Sequence, residues 1–246
     1  MDSPASVWSA LSAAFTQTNV PTVTWAEMLL ALAAAVALSI PRRSWRYFGL
    51  LATATHELGH AFAAVSSGQR LTGIRLRLDH SGTTTTYSRS RLAAAWSCFW
   101  GYPVPAMVGA AFVWCGLNGW GPAAMATSAL VLAASLVFLR NLAGFAITTA
   151  AIAGAAGLGF LAPGSVVGHV SVVVGLALLV AGVRDLLKLT NVHLRRRDRL
   201  SSSDAYLLYR ATSIPSGIWI TLFTLIVTGA WLVAWQPISM ILFKGA

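Results

Sequence analysis

Two histidines and a glutamate stand within five positions of each other, in His56-Glu57-Leu58-Gly59-His60. On a helix, residues four apart share a face, so both imidazoles project the same way and can share one Zn²⁺. Glu57 flanks that face, where a carboxylate can act as general base on metal-bound water, the chemistry of zinc-dependent peptide hydrolysis. A catalytic zinc takes three protein ligands and keeps one position open, so a third ligand must come from elsewhere. After the motif, the candidates are Asp79, His80, His169, Asp185, His193, Asp198 and Asp204.

Neighbouring charges rank these candidates. Asp198 lies between Arg197 and Arg199 and reads as a solvated ion-pair member, with His193 bordering the same basic loop. Asp79 and His80 fall at the tip of an expected hairpin. Asp185 has Arg184 beside it and Lys188 one turn on, which satisfies it as an ion pair at headgroup level. Asp204 follows three serines at a helix start and has no cation within a turn of it. It is the preferred third ligand, against the plainer reading of an exposed N-cap carboxylate. Asp185 is second. Cys98 and Cys115 lack paired metal-site spacing and read as small core residues.

The elements that position these groups belong to a membrane protein. The chain has 246 residues, 57% hydrophobic and 10% charged, with mean hydropathy +0.70, too few ionisable groups to cover a water-facing surface. Its formal charge of +10 arises from 17 Lys and Arg against 7 Asp and Glu. Most of the cations lie between apolar runs, where they can reach anionic headgroups, so a nucleic-acid partner is not expected. Runs able to cross ~30 Å of hydrocarbon fall at roughly 24–40, 47–67, 93–116, 122–139, 142–162, 166–188 and 214–235, seven crossings with an error of one. Glu57 lies about ten residues into the second, where an ionisable group costs a few kcal/mol unless a metal, a partner or a cavity receives it.

Between the second and third runs the period changes. Ile74, Leu76 and Leu78 alternate with Arg75, Arg77 and Asp79; Ser81-Gly82 gives a turn, and Thr83 to Tyr87 is rich in β-formers, so a β-hairpin is expected. The fold class is therefore an all-α integral membrane protein of about seven transmembrane helices, with one small β-hairpin between helices two and three. A single membrane-embedded domain over residues 1–246 is expected, with the hairpin at 69–91 and a polar basic loop at 189–213. Residues 1–22 lack the charged start of a secretory signal. There Trp8, Leu11 and Phe15 share a helical face, which suggests an interfacial helix, or else a disordered stretch. If crossings alternate, Arg42, Arg43 and Arg46 oppose the hairpin arginines, Arg140 and the 195–199 cluster. The positive-inside bias then puts the basic loops in the cytoplasm of a multi-pass cell-membrane protein.

The motif and its surroundings carry a resemblance. The stretch THELGHAFAA from Thr55 resembles the first motif of the site-2 proteases, intramembrane zinc metallopeptidases that cut membrane-bound substrates. In their compact bacterial branch a β-structured segment, a Gly/Pro-containing membrane segment, an Arg-Asn-x-x-Gly element and a late Ser-Asp-Ala follow. Here the hairpin around 70–88, Gly101-Tyr102-Pro103, Arg140-Asn141-Leu142-Ala143-Gly144 and Ser203-Asp204-Ala205 match them. The resemblance implies His56, His60 and Asp204 as ligands of one Zn²⁺, Glu57 as catalytic base, and a membrane-anchored protein as substrate. Better-known members place the third aspartate in Leu-Asp-Gly, which does not occur here. Tyr102 and Asn141 are candidate substrate contacts.

Two other classes of function remain open on the sequence. An inactive relative serving as a membrane scaffold would keep the motif without the chemistry. A polytopic metal-binding transporter would show two broken helices in related halves, and none is evident. Oligomeric state is not read from the sequence.

Overall fold

The computed structural model describes residue 9 and residues 12–243, with residues 197–199 described through their backbone alone. Trp8 and Leu11 of the expected interfacial face, and the Asp198 side chain, lie outside these residues. Phe15 is exposed in a turn.

Helix α1 (Trp25–Ser39) opens on a capping box: Thr24 accepts from the Glu27 amide while the Glu27 carboxylate accepts from the Thr24 amide at 2.7 Å. Pro41 stops it, as the sequence predicts, yet α2 (Arg42–Ser66) starts at once and runs at 90° to α1. Arg184 holds this elbow. Its guanidinium donates to the carbonyls of Ser39 at 2.6 Å and Ile40 at 3.1 Å and lies 4.0 Å over the Trp45 ring. These are carbonyls that a helix C-terminus leaves without partners, and a cation there also complements the helix dipole. The elbow thus sets the start of α2 beside Arg184. At the other end of α2, Gly68 adopts φ +71, and the amides of Gly68 and Gln69 return to the carbonyls of Val65 and Ala64 at 3.0 and 2.9 Å. This is a Schellman stop.

Strands β1 (Arg70–Leu76) and β2 (Gly82–Tyr87) form the hairpin, antiparallel with Arg75 opposite Thr83 and an irregularity between Leu71 and Gly73. Ile74 and Leu76 are buried and Arg75 exposed, the alternation read from sequence; Leu78 falls beyond the strand and is exposed. In the connecting turn Asp79 accepts from the amide and hydroxyl of Ser81 at 2.9 and 2.6 Å, which holds its carboxyl below the usual range. The hairpin folds back along α2: His80 Nε2 donates to the Arg46 carbonyl at 3.2 Å and Thr53 donates to the His80 carbonyl at 3.3 Å. The outer edge of β1 is closed by the segment before Leu142, with Arg140 N donating to the Ile74 carbonyl at 3.0 Å.

The chain continues as α3 (Arg91–Phe99), α4 (Pro103–Leu117), α5 (Gly121–Ser135) with a 3₁₀ turn to Phe138, α6 (Leu142–Leu161), α7 (Gly164–Arg195), a 3₁₀ turn (Arg197–Ser202), α8 (Asp204–Thr212) and α9 (Ser216–Phe243). Among the described residues four helices are long and apolar enough to cross a membrane: α5 with its 3₁₀ extension, α6, α7 and α9. The count rises to six if the bent pairs α1–α2 and α3–α4, the latter at 45°, each form one span. Six lies within the expected seven with its error of one; the first two runs form one bent pair because α1 has 15 residues, about 22 Å of helix at 1.5 Å per residue. Two axes at 90° also exceed what the tilts of ordinary crossings allow. Helix α7 is central. Its Val172, Leu176 and Leu179 are buried against α4, where Gly109 faces Gly175 so closely that a Cβ on Gly109 would stand 2.7 Å from the Gly175 carbonyl oxygen. Small residues let helix backbones meet in this way where the hydrophobic effect gives no drive.

Candidate metal centre

On α2, His56 and His60 turn their Nε2 atoms toward each other at 3.0 Å. Asp204 completes the group, its Oδ2 lying 3.2 Å from His56 Nε2 and 3.4 Å from His60 Nε2. Tetrahedral zinc with ligand bonds near 2.0–2.1 Å requires donor atoms about 3.3 Å apart. The three measured separations fit that requirement, and two imidazoles with one carboxylate are a donor set that suits zinc and leaves a position for water. The three side chains are 19%, 13% and 16% exposed in the order His56, His60, Asp204, shielded yet reachable.

Neighbouring backbone fixes the rings. His60 Nδ1 donates to the Ser97 carbonyl at 2.8 Å, which leaves Nε2 as the lone-pair nitrogen directed at the centre. His56 is held by the Tyr102 ring, edge-on at 4.9 Å and 84°. Gly101 lies over both imidazoles, where any Cβ would collide with their Nε2 atoms.

Asp204 is the first residue of α8, and the burial of Ala205 and Leu208 turns it inward. Immediately before it, Ser203 Oγ and His193 Nε2 are 2.7 Å apart, so His193, a candidate ligand in sequence, anchors the turn that presents Asp204. The Cys98 thiol lies 3.6 Å from the Asp204 carbonyl and 3.8 Å from Oδ1. Burial acts to raise the Asp204 carboxyl, but His60 and His56 outweigh it and hold the group below the ordinary carboxylate range. The exposed N-cap reading therefore does not hold.

Glu57 is 6% exposed. The Thr84 hydroxyl, from β2, donates to its Oε2 at 2.6 Å, and the Gly82 backbone packs so tightly on the carboxyl that a Cβ there would overlap it. Together these groups border a cavity of about 780 Å³ whose walls come from α2, β2, α3, Tyr102, α7 and α8.

Other sequence candidates are placed elsewhere. Asp185 lines the cavity but is not one of the clustered ligand atoms, and it makes no ion pair or hydrogen bond among the described residues. Its expected partner Arg184 is committed to the α1–α2 elbow. His169 lies 3.9 Å from Glu27, away from the cavity. Tyr102 lines the cavity; Asn141 does not. Asn141 instead accepts from the Leu76 amide at 3.2 Å and donates to the Leu76 carbonyl at 2.6 Å, docking β1. Sequence reasoning missed Thr84, Gly82, Ser97 and Cys98. The four-threonine run of β2 was the one available signal.

A family model described as Peptidase M50B-like matches residues 29–234, from within α1 to within α9. The chain belongs to that family. The match takes in both the motif and Asp204, and it bears out the site-2 protease resemblance. The M50 family is zinc-dependent in general. With four to six apolar spans, this Peptidase M50B-like chain is a multi-pass membrane protein. No curated protein and no solved structure matches it.

Proposed function

We propose that the chain is an intramembrane zinc metallopeptidase that hydrolyses peptide bonds of membrane-anchored protein substrates. The observation that carries this reading is the meeting of His56 Nε2, His60 Nε2 and Asp204 Oδ2 at zinc-ligand separations, with the buried Glu57 lining the same cavity. Zinc held by these three would polarise the scissile carbonyl and lower the pKa of its water. Glu57 takes a proton from the attacking water and later delivers it to the leaving amine nitrogen. Thr84 donates to Oε2 and so fixes the orientation of the carboxylate. The Ser97 carbonyl keeps His60 in its metal-binding tautomer.

A helical substrate hides its backbone and must be unwound before attack. The hairpin offers a strand edge for this purpose. Arg140 and Asn141 already occupy β1, while the outer edge of β2, beside Glu57, pairs with no strand among the described residues. Strand addition there would draw an extended segment across the centre and against Tyr102. Asn141 contributes by holding β1. The basic end, with Arg46, Arg140, Arg184 and the turn after α7, faces the cytoplasm and its anionic headgroups. The segments that meet at the other end, 12–27, 117–121 and 161–169, contain no Lys or Arg.

The test is zinc content together with cleavage of a co-reconstituted single-span substrate. Wild type is expected to hold one zinc and cleave; Glu57→Gln holds zinc without cleaving; Asp204→Ala loses both. Metal-free wild type, or a Glu57→Gln protein as active as wild type, would remove the peptidase reading and leave a scaffold.

A further inference from the structure

Tyr102 carries a polar atom that the fold does not use. It sits in the turn between α3 and α4, with Pro103 following, its ring stacked on the fully buried Phe223 at 5.2 Å and 22°. That stack and the edge contact with His56 fix the ring beside the metal ligands. Its hydroxyl makes no hydrogen bond to any described residue, although buried phenol hydroxyls usually find a partner. The ionisable groups Asp204, Asp185 and Cys98 line the same cavity. Asp204 directs Oδ2 at the two imidazoles, and Asp185 leaves the hydroxyl unengaged. The hydroxyl is thus a donor on a cavity-lining residue that no described residue engages.

Base and donor come from different walls. Glu57 is gripped by β2, whereas Tyr102 is supported from α4 and α9. A carbonyl seated between these walls and attacked from the Glu57 side would present its oxygen away from that base.

We infer that the Tyr102 hydroxyl donates a hydrogen bond to the scissile carbonyl oxygen as that oxygen gains negative charge. Tyr102 is then a catalytic residue that forms and breaks no covalent bond and keeps its proton throughout. The inference rests on the peptidase reading. A donor placed for the charged oxygen favours the transition state over the bound substrate, so its loss lowers kcat and leaves KM nearly unchanged.

Tyr102→Phe isolates the hydroxyl, because the ring that packs on Phe223 and His56 is retained. In zinc-loaded, detergent-solubilised protein we expect unchanged zinc content and thermal midpoint, and a fall in kcat of about 100-fold with KM within about twofold, typical of one lost oxyanion donor. A second readout does not depend on turnover. A phosphinic peptide, whose anionic tetrahedral oxygen mimics the charged state, should bind Tyr102→Phe at least about tenfold more weakly than wild type. The matching amide peptide, measured on Glu57→Gln with and without Tyr102→Phe, should bind equally to both. Unchanged kcat, equal phosphinate affinity, or a parallel loss of amide affinity or zinc would overturn the assignment while wild-type cleavage upheld the peptidase reading. A wild type without zinc or cleavage would remove both.

Discussion

The centre is assembled from two stretches that hold their ligands by different means. In α2 the spacing of His56 and His60 is intrinsic to the helix, and one backbone carbonyl, that of Ser97, completes the orientation of His60. Asp204 has no such local frame. It begins the short helix α8, and its direction depends on His193 from α7, Cys98 from α3 and the burial of Ala205 and Leu208. A ligand set by helical period survives most changes around it; one set by several converging elements depends on all of them. The base resembles the aspartate in this respect, since Glu57 owes its position on α2 to the motif but its orientation to the hairpin.

The strongest way to break this contrast is Asp204→Ala, which removes a ligand that α2 cannot replace. Zinc affinity is expected to fall by more than about 100-fold, beyond the usual effect of losing a ligand's supporting partner, and cleavage with it. Asp185→Ala, in the same cavity, should leave zinc stoichiometry intact by metal analysis. Glu57→Gln comes next: zinc retained, and cleavage of a reconstituted substrate reduced at least ~100-fold through loss of proton transfer. Were zinc lost as well, the separation between ligands and base would fail.

Gly82→Ala probes the hairpin side alone. Its methyl group overlaps the Glu57 carboxyl, a strain of ~1–3 kcal/mol, so activity should drop with zinc retained and the hairpin displaced. Thr84→Val is milder. It deletes a hydrogen bond to a charged group, ~1.5 kcal/mol or about tenfold in kcat, with zinc content unchanged. At the far end of the scale, Gly154→Ala and Gly157→Ala on α6 meet no atom of the described chain, and stability in detergent should stay within about 0.5 kcal/mol.

Legibility in the sequence followed the range of the interaction responsible. The two-stranded hairpin was readable because its alternation and turn residues are local. The exact span count was less so. Hydropathy measures whether a run is apolar, and it carries no information about the direction a helix takes after Pro41. The contacts that hold that bend run from Arg184 to the carbonyls of Ser39 and Ile40, 145 and 144 positions away in the chain.

The sequence by itself determined the pair of imidazoles, the adjacent base, the apolar runs and the hairpin, because each depends on a period of a few residues. Asp204 could be ranked first among the candidate third ligands, since local charges left it without a partner. Only the tertiary structure decided that its carboxylate meets both imidazoles, that Thr84 and Gly82 grip Glu57, that Asn141 serves β1, and that Asp185 stands unpaired in the cavity among the described residues. Those outcomes depend on which elements pack together and at what angle, and no local period encodes that.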